Sequence, residues 1–125
     1  MKKIGFIGAY AKIDLILYIA KIITTLNKKV LVIDTTINQR ARYVVPAINP
    51  TKKYVTNFED IDIAVGFTNF EDIKRYLGLT EEQEFEYDIV LIDTDNMEGF
   101  KSFKLEEAKK NYFVTSFDNY SLKKG

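Results

Sequence analysis

Two aspartates and one lysine occupy positions in this chain from which they could support chemistry. Asp34 and Asp93 each end a run of four apolar residues, and Lys12 immediately precedes the apolar pattern of a helix. In nucleotide-binding α/β proteins, an apolar strand that ends in Asp places a carboxylate at the carboxyl edge of a parallel sheet, where ligands bind. A lysine at the head of the intervening helix can contact a bound phosphate. The three residues therefore indicate a phosphate-binding edge, if a glycine-rich loop accompanies them.

The elements that must position these residues alternate between strand and helix patterns. Residues 30–33 are continuously apolar and mostly β-branched, as expected for a strand that is covered on both faces. Before them, apolar residues recur at helical spacing over residues 13–27, and Asn27 is a suitable helix stop. A helical crossover of this length between two strands implies that the strands are parallel.

The rest of the chain continues this alternation and predicts a layered domain. Further strands are predicted at residues 4–7, 60–65, 89–92 and 112–117, and further helices between Asn69 and Gly78 and at residues 97–109. Residues 35–56 contain both prolines and are expected to form an irregular or partly helical excursion beyond the sheet edge. These elements predict a single domain over residues 1–125, three-layer α/β with a mainly parallel sheet of about five strands and flanking helices.

Composition restricts the possible functions further. The chain is 46% hydrophobic and 29% charged, and its eighteen basic residues balance eighteen acidic ones, so nothing in its net charge indicates nucleic acid or an anionic membrane as a partner. The absence of cysteine and histidine excludes disulfides and thiolate metal sites, and it removes the commonest general base. Its apolar stretches are too short or too interrupted for a signal peptide or a membrane span. The composition therefore predicts a soluble, cytoplasmic domain.

In order and spacing, these features resemble the MinD/ParA-like branch of the P-loop NTPases, with its deviant Walker A loop. The resemblance implies that Lys12 is the phosphate-loop lysine, with Gly8 in the loop before it, and that Asp34 helps to position the attacking water. It also implies that Asp93, which ends the second apolar run, is the Walker B acid that holds magnesium. Members of this family are normally longer, so residues 1–125 would correspond to the N-terminal part of a longer chain.

The phosphate loop departs from the family pattern. A G-x-x-x-x-G-K-[ST] loop works because consecutive backbone N–H groups wrap the phosphates and because glycines permit that close approach. Counted back from Lys12, the positions of the two expected glycines are occupied by Ala11 and Phe6. The position of the magnesium-binding Ser or Thr is occupied by Ile13. The second lysine that is typical of this branch is absent, because its position is occupied by Ile7. The loop is also short, so we expect the preorganised cradle for phosphate to be lost.

These departures favour a non-hydrolysing MinD/ParA-like pseudo-ATPase that serves as a protein docking or positioning module. Its expected partner is another protein or a second copy of the chain, and no cofactor is expected. The alternative is a divergent ATPase that binds ATP and Mg²⁺ through Lys12, Asp34 and Asp93. A second alternative is a receiver-like regulatory domain phosphorylated on Asp93, although such domains need an acid pair where this chain has Gly8-Ala-Tyr.

Each candidate residue also has a purely structural interpretation. Lys12 would then be a solvated surface lysine, and Asp34 and Asp93 would cap turns or accept hydrogen bonds from loop amides. Asp93 and Asp95 could together hold a hard cation, but no ligand loop of the calcium-binding type accompanies them. If the domain is catalytic, Asp34 is the candidate catalytic residue, Lys12 and Gly8 are the candidate nucleotide contacts, and Asp93 is the candidate metal ligand.

Overall fold

A computed structural model describes residues 2–8, 13–36, 53–80 and 82–113, and these residues form an α/β structure. The described strands are Lys2–Ile7 (β1), Val30–Asp34 (β2), Tyr54–Phe58 (β3), Ile61–Val65 (β4), Ile89–Thr94 (β5) and Lys110–Phe113 (β6). The described α-helices are Ile13–Thr24 (α1), Phe70–Tyr76 (α2) and Met97–Ser102 (α3). Within these ranges the six strands form one sheet in the order β3-β4-β2-β5-β1-β6. Neighbouring strands are parallel except β3 and β4, which form an antiparallel hairpin.

Helices lie on both faces of this sheet. On one face α1 packs through Ile13, Ile16 and Ala20 into a core built on β1, β2, β4 and β5. On the other face Ile73 of α2 and Phe103, at the end of α3, belong to a second core. Burial of each such Ile or Phe side chain stabilises the fold by roughly 1.5–3 kcal/mol. The sheet is thus the middle layer of three, and every residue of β2 is buried, as its continuously apolar sequence predicts.

Local sequence signals account for the ends of several elements. Asn69 begins α2 because its side-chain Oδ1 accepts a hydrogen bond from the backbone N of Asp72 at 2.8 Å. Gly78 follows the helix with a φ of 78°, a left-handed conformation that favours glycine. Glu59 and Asp60 join β3 to β4 with φ values of 51° and 69°, so this two-residue turn has the positive φ angles of a type I′ hairpin.

The structure corrects three of the predicted elements. The sheet has six strands within the described residues, one more than predicted, because residues 54–56, the end of the segment predicted as irregular, belong to β3. The helix predicted over residues 97–109 ends at Ser102, because Lys104 adopts a left-handed φ of 54° before a short 3₁₀ turn. The last strand begins at Lys110, two residues earlier than predicted, and residues 114–117 of the prediction lie outside the described ranges. Among the helices that the structure describes, each falls short of the length and apolarity needed to cross a bilayer.

Candidate functional site at the carboxyl edge

The topology places a switch point between the carboxyl ends of β1 and β5. These strands are parallel neighbours, yet α1, which follows β1, packs on one face, whereas α3, which follows β5, lies toward the other. In open α/β sheets, the crevice between two such strands is where ligands bind, since the following chain segments diverge there. The switch point of this chain is therefore bordered by Gly8 after β1 and by Asp95 after β5.

The structure brings both predicted aspartates to this edge, next to each other. Asp34 and Asp93 are paired across the parallel strands β2 and β5, and their side chains are 1% and 0% exposed. The Asp34 carboxylate accepts hydrogen bonds from the backbone N of Thr36, at 2.9 Å, and from the Thr36 hydroxyl. The carboxylate of Asp34 therefore stabilises the turn that leaves β2, as in the structural interpretation of its sequence position.

Side chains that follow β2 and β5 connect the two strand ends. The backbone N and the hydroxyl of Thr35 both donate to the carbonyl of Asp93, each at 2.8 Å. Asn96 begins α3, since its Oδ1 accepts a hydrogen bond from Gly99 N at 2.7 Å, while its Nδ2 donates to the Thr35 carbonyl at 3.1 Å. The backbone N of Gly8 donates to the carbonyl of Thr94 at 3.1 Å. We call Thr35, Thr94, Asn96 and Gly99 the edge network.

Gly99 is the most closely packed member of the edge network. A Cβ atom at this position would lie 2.5 Å from Thr94 Oγ1 and 2.6 Å from Thr35 Oγ1. Non-bonded carbon and oxygen atoms do not approach this closely, so glycine is required for α3 to lie against both threonines. The edge network thus joins β2, β5 and α3 by direct contact between protein groups.

The residue at the magnesium position of the phosphate-loop pattern points into the core. Ile13 is the first residue of α1, is 3% exposed and packs with Ile16 and Ala20. Its side chain offers no oxygen to a metal ion. Lys12, the predicted phosphate contact, lies outside the described residues. In the part of the chain that the structure describes, no group of three or more acidic side chains is arranged to hold a metal ion.

The sequence prediction identified the two aspartates but missed the edge network. Asn96 carries the signal of a helix N-cap, an Asn followed by an acidic first turn, and this signal was available in the sequence. Thr35 and Gly99 carry no comparable signal, because their roles depend on contacts between residues 64 positions apart in the chain.

A large groove lies at the opposite, amino edge of the sheet. Its volume is about 1010 Å³. Its lining includes two exposed ion pairs, Lys21 with Glu59 at 3.1 Å and Lys29 with Glu86 at 3.8 Å. Exposed pairs of this kind contribute at most about 1 kcal/mol to stability. Tyr87, also in the lining, donates a hydrogen bond to Asp62. The groove is lined by both acidic and basic residues, and it lies at the edge opposite the switch point. We therefore take the carboxyl edge as the candidate site, although the groove is large.

No family model matches the chain, and neither the curated proteins nor the solved structures include one with significant similarity to it.

Proposed function

We propose that this chain is a nucleotide-independent relative of the MinD/ParA ATPases that acts in the cytoplasm as a protein docking or positioning module. The observation that carries the proposal is the burial of Asp34 and Asp93 at the carboxyl edge of the sheet. Two further observations support it, the orientation of Ile13 and the exposure of apolar side chains on α1.

Burial of the two aspartates argues against a magnesium-nucleotide site. In a working ATPase, the carboxylates corresponding to Asp34 and Asp93 must reach a water molecule or the hydrated metal. Here both side chains are buried, and Asp34 accepts two hydrogen bonds from Thr36. A ligand of the Asp34 carboxylate would have to displace the Thr36 amide and hydroxyl. Asp34, the candidate catalytic residue, therefore stabilises the turn after β2.

The core position of Ile13 removes a second requirement of nucleotide hydrolysis. The Ser or Thr at this point of a phosphate loop supplies an oxygen ligand to magnesium. An isoleucine supplies none, and this one is integrated into the packing of α1 against the sheet. The absence of a side-chain ligand for magnesium at this position supports the proposal.

Exposed apolar side chains on α1 support the docking part of the proposal. Tyr18 and Ile22 on the helix and Leu26 just after it are 66%, 48% and 66% exposed. A helix that carries apolar residues on nearly all sides is usually covered on all sides. Their exposure therefore favours a protein partner or a second copy of the chain.

Thermal unfolding with and without Mg²⁺-ATP tests the proposal. A ligand present at 100 times its dissociation constant stabilises the folded state by about 2.7 kcal/mol. For a chain of 125 residues this would raise the midpoint by roughly 10 °C. We expect no change at millimolar Mg²⁺-ATP, and Lys12→Ala should behave as the wild type does.

The divergent ATPase is the second candidate, because Asp34 and Asp93 lie side by side at the carboxyl edge, next to the switch point. In that case Mg²⁺-ATP raises the unfolding midpoint of the wild type, and the increase disappears in Lys12→Ala. A shift that survives Lys12→Ala would instead place the nucleotide elsewhere on the protein and would count against both candidates.

A further inference from the structure

The sheet ends at β6, the strand that lies beyond β1. Within the described residues, β6 pairs with β1 on one side and with no strand on the other. A strand at the edge of a sheet presents a row of N–H and C=O groups to which another strand can bond, and proteins usually protect such an edge with charged side chains, proline or a bulge. After Lys110, the rest of β6 consists of Asn111, Tyr112 and Phe113, which carry no charge.

The backbone of β1 is directed alternately at its two neighbours. The backbone N atoms of Lys2 and Gly8 donate to carbonyls at the two ends of β5, at 2.9 and 3.1 Å, so the even-numbered residues of β1 are directed at β5. The odd-numbered residues are therefore directed at β6. The Lys3 carbonyl agrees with this assignment, since it accepts a hydrogen bond at 2.9 Å from the backbone N of Lys109, immediately before β6.

This alternation identifies the backbone groups of β6 that are directed outward. In a parallel pair, a residue directed at its neighbour bonds to the two residues that flank the one opposite it. Lys110 and Tyr112 lie opposite even-numbered residues of β1, so they bond to the odd-numbered ones. Asn111 and Phe113 alternate with them along the strand. Their N–H and C=O groups are therefore directed away from the sheet.

Aromatic side chains make this edge apolar. Tyr112 and Phe113 are 44% and 74% exposed. The Tyr112 ring is stacked on the Phe6 ring with the centroids 5.5 Å apart, so a contact within the sheet fixes its position. At the other edge, Tyr54 and Phe58 of β3 are half-buried and pack against the core. Of the two edges, β6 therefore exposes the larger aromatic surface.

We infer that β6 pairs with the β6 strand of a second copy of the chain, antiparallel about a two-fold axis at Tyr112, so that two six-stranded sheets become continuous. Asn111 of each copy then lies opposite Phe113 of the other, and each such pair exchanges both of its N–H···O bonds. Tyr112 lies opposite its own copy at a non-hydrogen-bonded position, where side chains approach most closely. This register uses all the outward-directed groups of Asn111 and Phe113.

The residues of β6 favour a second copy as the occupant of this edge. In this register Lys110 and its copy are four positions apart, about 13 Å along the strands, so the charges of the two strands do not meet. The Lys110 Nζ lies 5.5 Å from the centroid of the Tyr112 ring in its own copy. Aromatic pairs stabilise antiparallel strands, and Tyr112 meets an identical ring at the axis. The contact is self-complementary and closes after two copies.

Sedimentation equilibrium of the full chain tests the inference, which rests on the docking part of the proposed function. We expect the wild type to form a concentration-dependent dimer. Phe113 and its copy are diagonal neighbours across the axis, about 7–8 Å apart. Phe113→Lys and Phe113→Glu should therefore each raise the dissociation constant of the dimer about tenfold, because like charges meet and apolar contact is lost. An equimolar mixture of these two variants should restore the dimer, because the charges are then opposite.

Leu26→Lys is the matched control for these variants. Leu26, just after α1, is a similarly exposed apolar side chain, and its replacement should leave the dimer unchanged. Because both replaced residues are exposed, we expect the variants to fold, and far-UV circular dichroism checks this.

Amide hydrogen exchange, followed for each residue by NMR, tests the pairing of the backbone. The N–H groups of Asn111 and Phe113 should be protected in concentrated protein and should lose this protection on dilution. The N–H groups of Lys110 and Tyr112 are directed at β1 in the monomer and in the dimer. Their protection should therefore not depend on concentration.

Three results would overturn the inference. The first is a wild type that stays monomeric at the highest concentration at which it is soluble. The second is a dimer that Leu26→Lys dissociates and Phe113→Lys does not, which would place the interface on α1. The third is a dimer in which the Asn111 and Phe113 amides exchange as fast as in the monomer.

Addition of Mg²⁺-ATP separates this inference from the proposed function. Stabilisation by nucleotide with the dimer intact refutes nucleotide independence and leaves the pairing of β6. A monomer that nucleotide does not stabilise refutes the pairing alone.

Discussion

Replacement of Gly99 by alanine tests whether α3 packs directly against the threonines that follow β2 and end β5. In an exposed helix this substitution normally stabilises by about 1 kcal/mol, because alanine has the higher helix propensity. Here the new Cβ would lie 2.5 Å from Thr94 Oγ1 and 2.6 Å from Thr35 Oγ1. Overpacking of this kind costs about 1–3 kcal/mol. Displacement of the Thr35 hydroxyl would also remove its hydrogen bond to the Asp93 carbonyl, which contributes about 1 kcal/mol.

The expected net effect of Gly99→Ala is a destabilisation of about 2 kcal/mol, which lowers the unfolding midpoint by roughly 8 °C in a chain of this size. Urea denaturation followed by far-UV circular dichroism measures it, since the chain has no tryptophan to serve as a fluorescent reporter. Gly99→Ala with unchanged or increased stability would refute the close packing of α3 on the two threonines.

Gly78→Ala is the matched control for this experiment. Gly78 has a φ of 78°, but no atom lies within 4 Å of the position that its Cβ would occupy. The substitution therefore introduces backbone strain without a collision, and we expect a cost of about 1 kcal/mol. The pair of variants separates the steric requirement at Gly99 from the conformational requirement at Gly78.

Three further predictions concern single contacts. Burial and the hydrogen bond to Asp62 raise the pKa of the Tyr87 phenol. The protonated phenol therefore stabilises the folded state at pH values below its ordinary pKa of about 10, and this contribution is lost as the pH rises above that value. The stability advantage of the wild type over Tyr87→Phe, measured by urea denaturation, should shrink as the pH rises past about 10. Asn69→Ala removes the acceptor of the Asp72 N–H and should cost about 1 kcal/mol in the same assay, whereas Asn69→Ser should retain most of the stability. Asp60→Gly should stabilise by about 0.5 kcal/mol, because Asp60 has a φ of 69° in the hairpin turn; a loss of stability would contradict the assigned turn geometry.

The parallel part of the fold could be predicted because its signals are local. The apolar run of β2 and the helical spacing of α1 each extend over a full element, and Asp34 and Asp93 end strands whose direction follows from the crossover. Strand β3 was missed because its residues are only partly buried and lack a full alternation of apolar and polar side chains. Its place in the sheet depends on pairing with β4, which the local pattern does not encode.

The candidate site could be predicted only in part, for a similar reason. Sequence position brings Asp34 and Asp93 to one edge, but their burial depends on neighbours from separate elements. Thr35 and Gly99 are 64 positions apart in the chain, and neither residue type predicts that they are in contact. The stacking of the Phe6 and Tyr112 rings likewise arises from sheet order, which places Tyr112 beside β1 although 106 positions separate Tyr112 from Phe6.

Equilibrium dialysis of the full chain against labelled ATP with Mg²⁺ tests the central claim of nucleotide independence most directly. The burial of Asp34 and Asp93 and the core position of Ile13 predict equal concentrations of ATP on the two sides of the dialysis membrane at every protein concentration. An excess of ATP on the protein side that saturates with nucleotide and disappears in Lys12→Ala would contradict the claim.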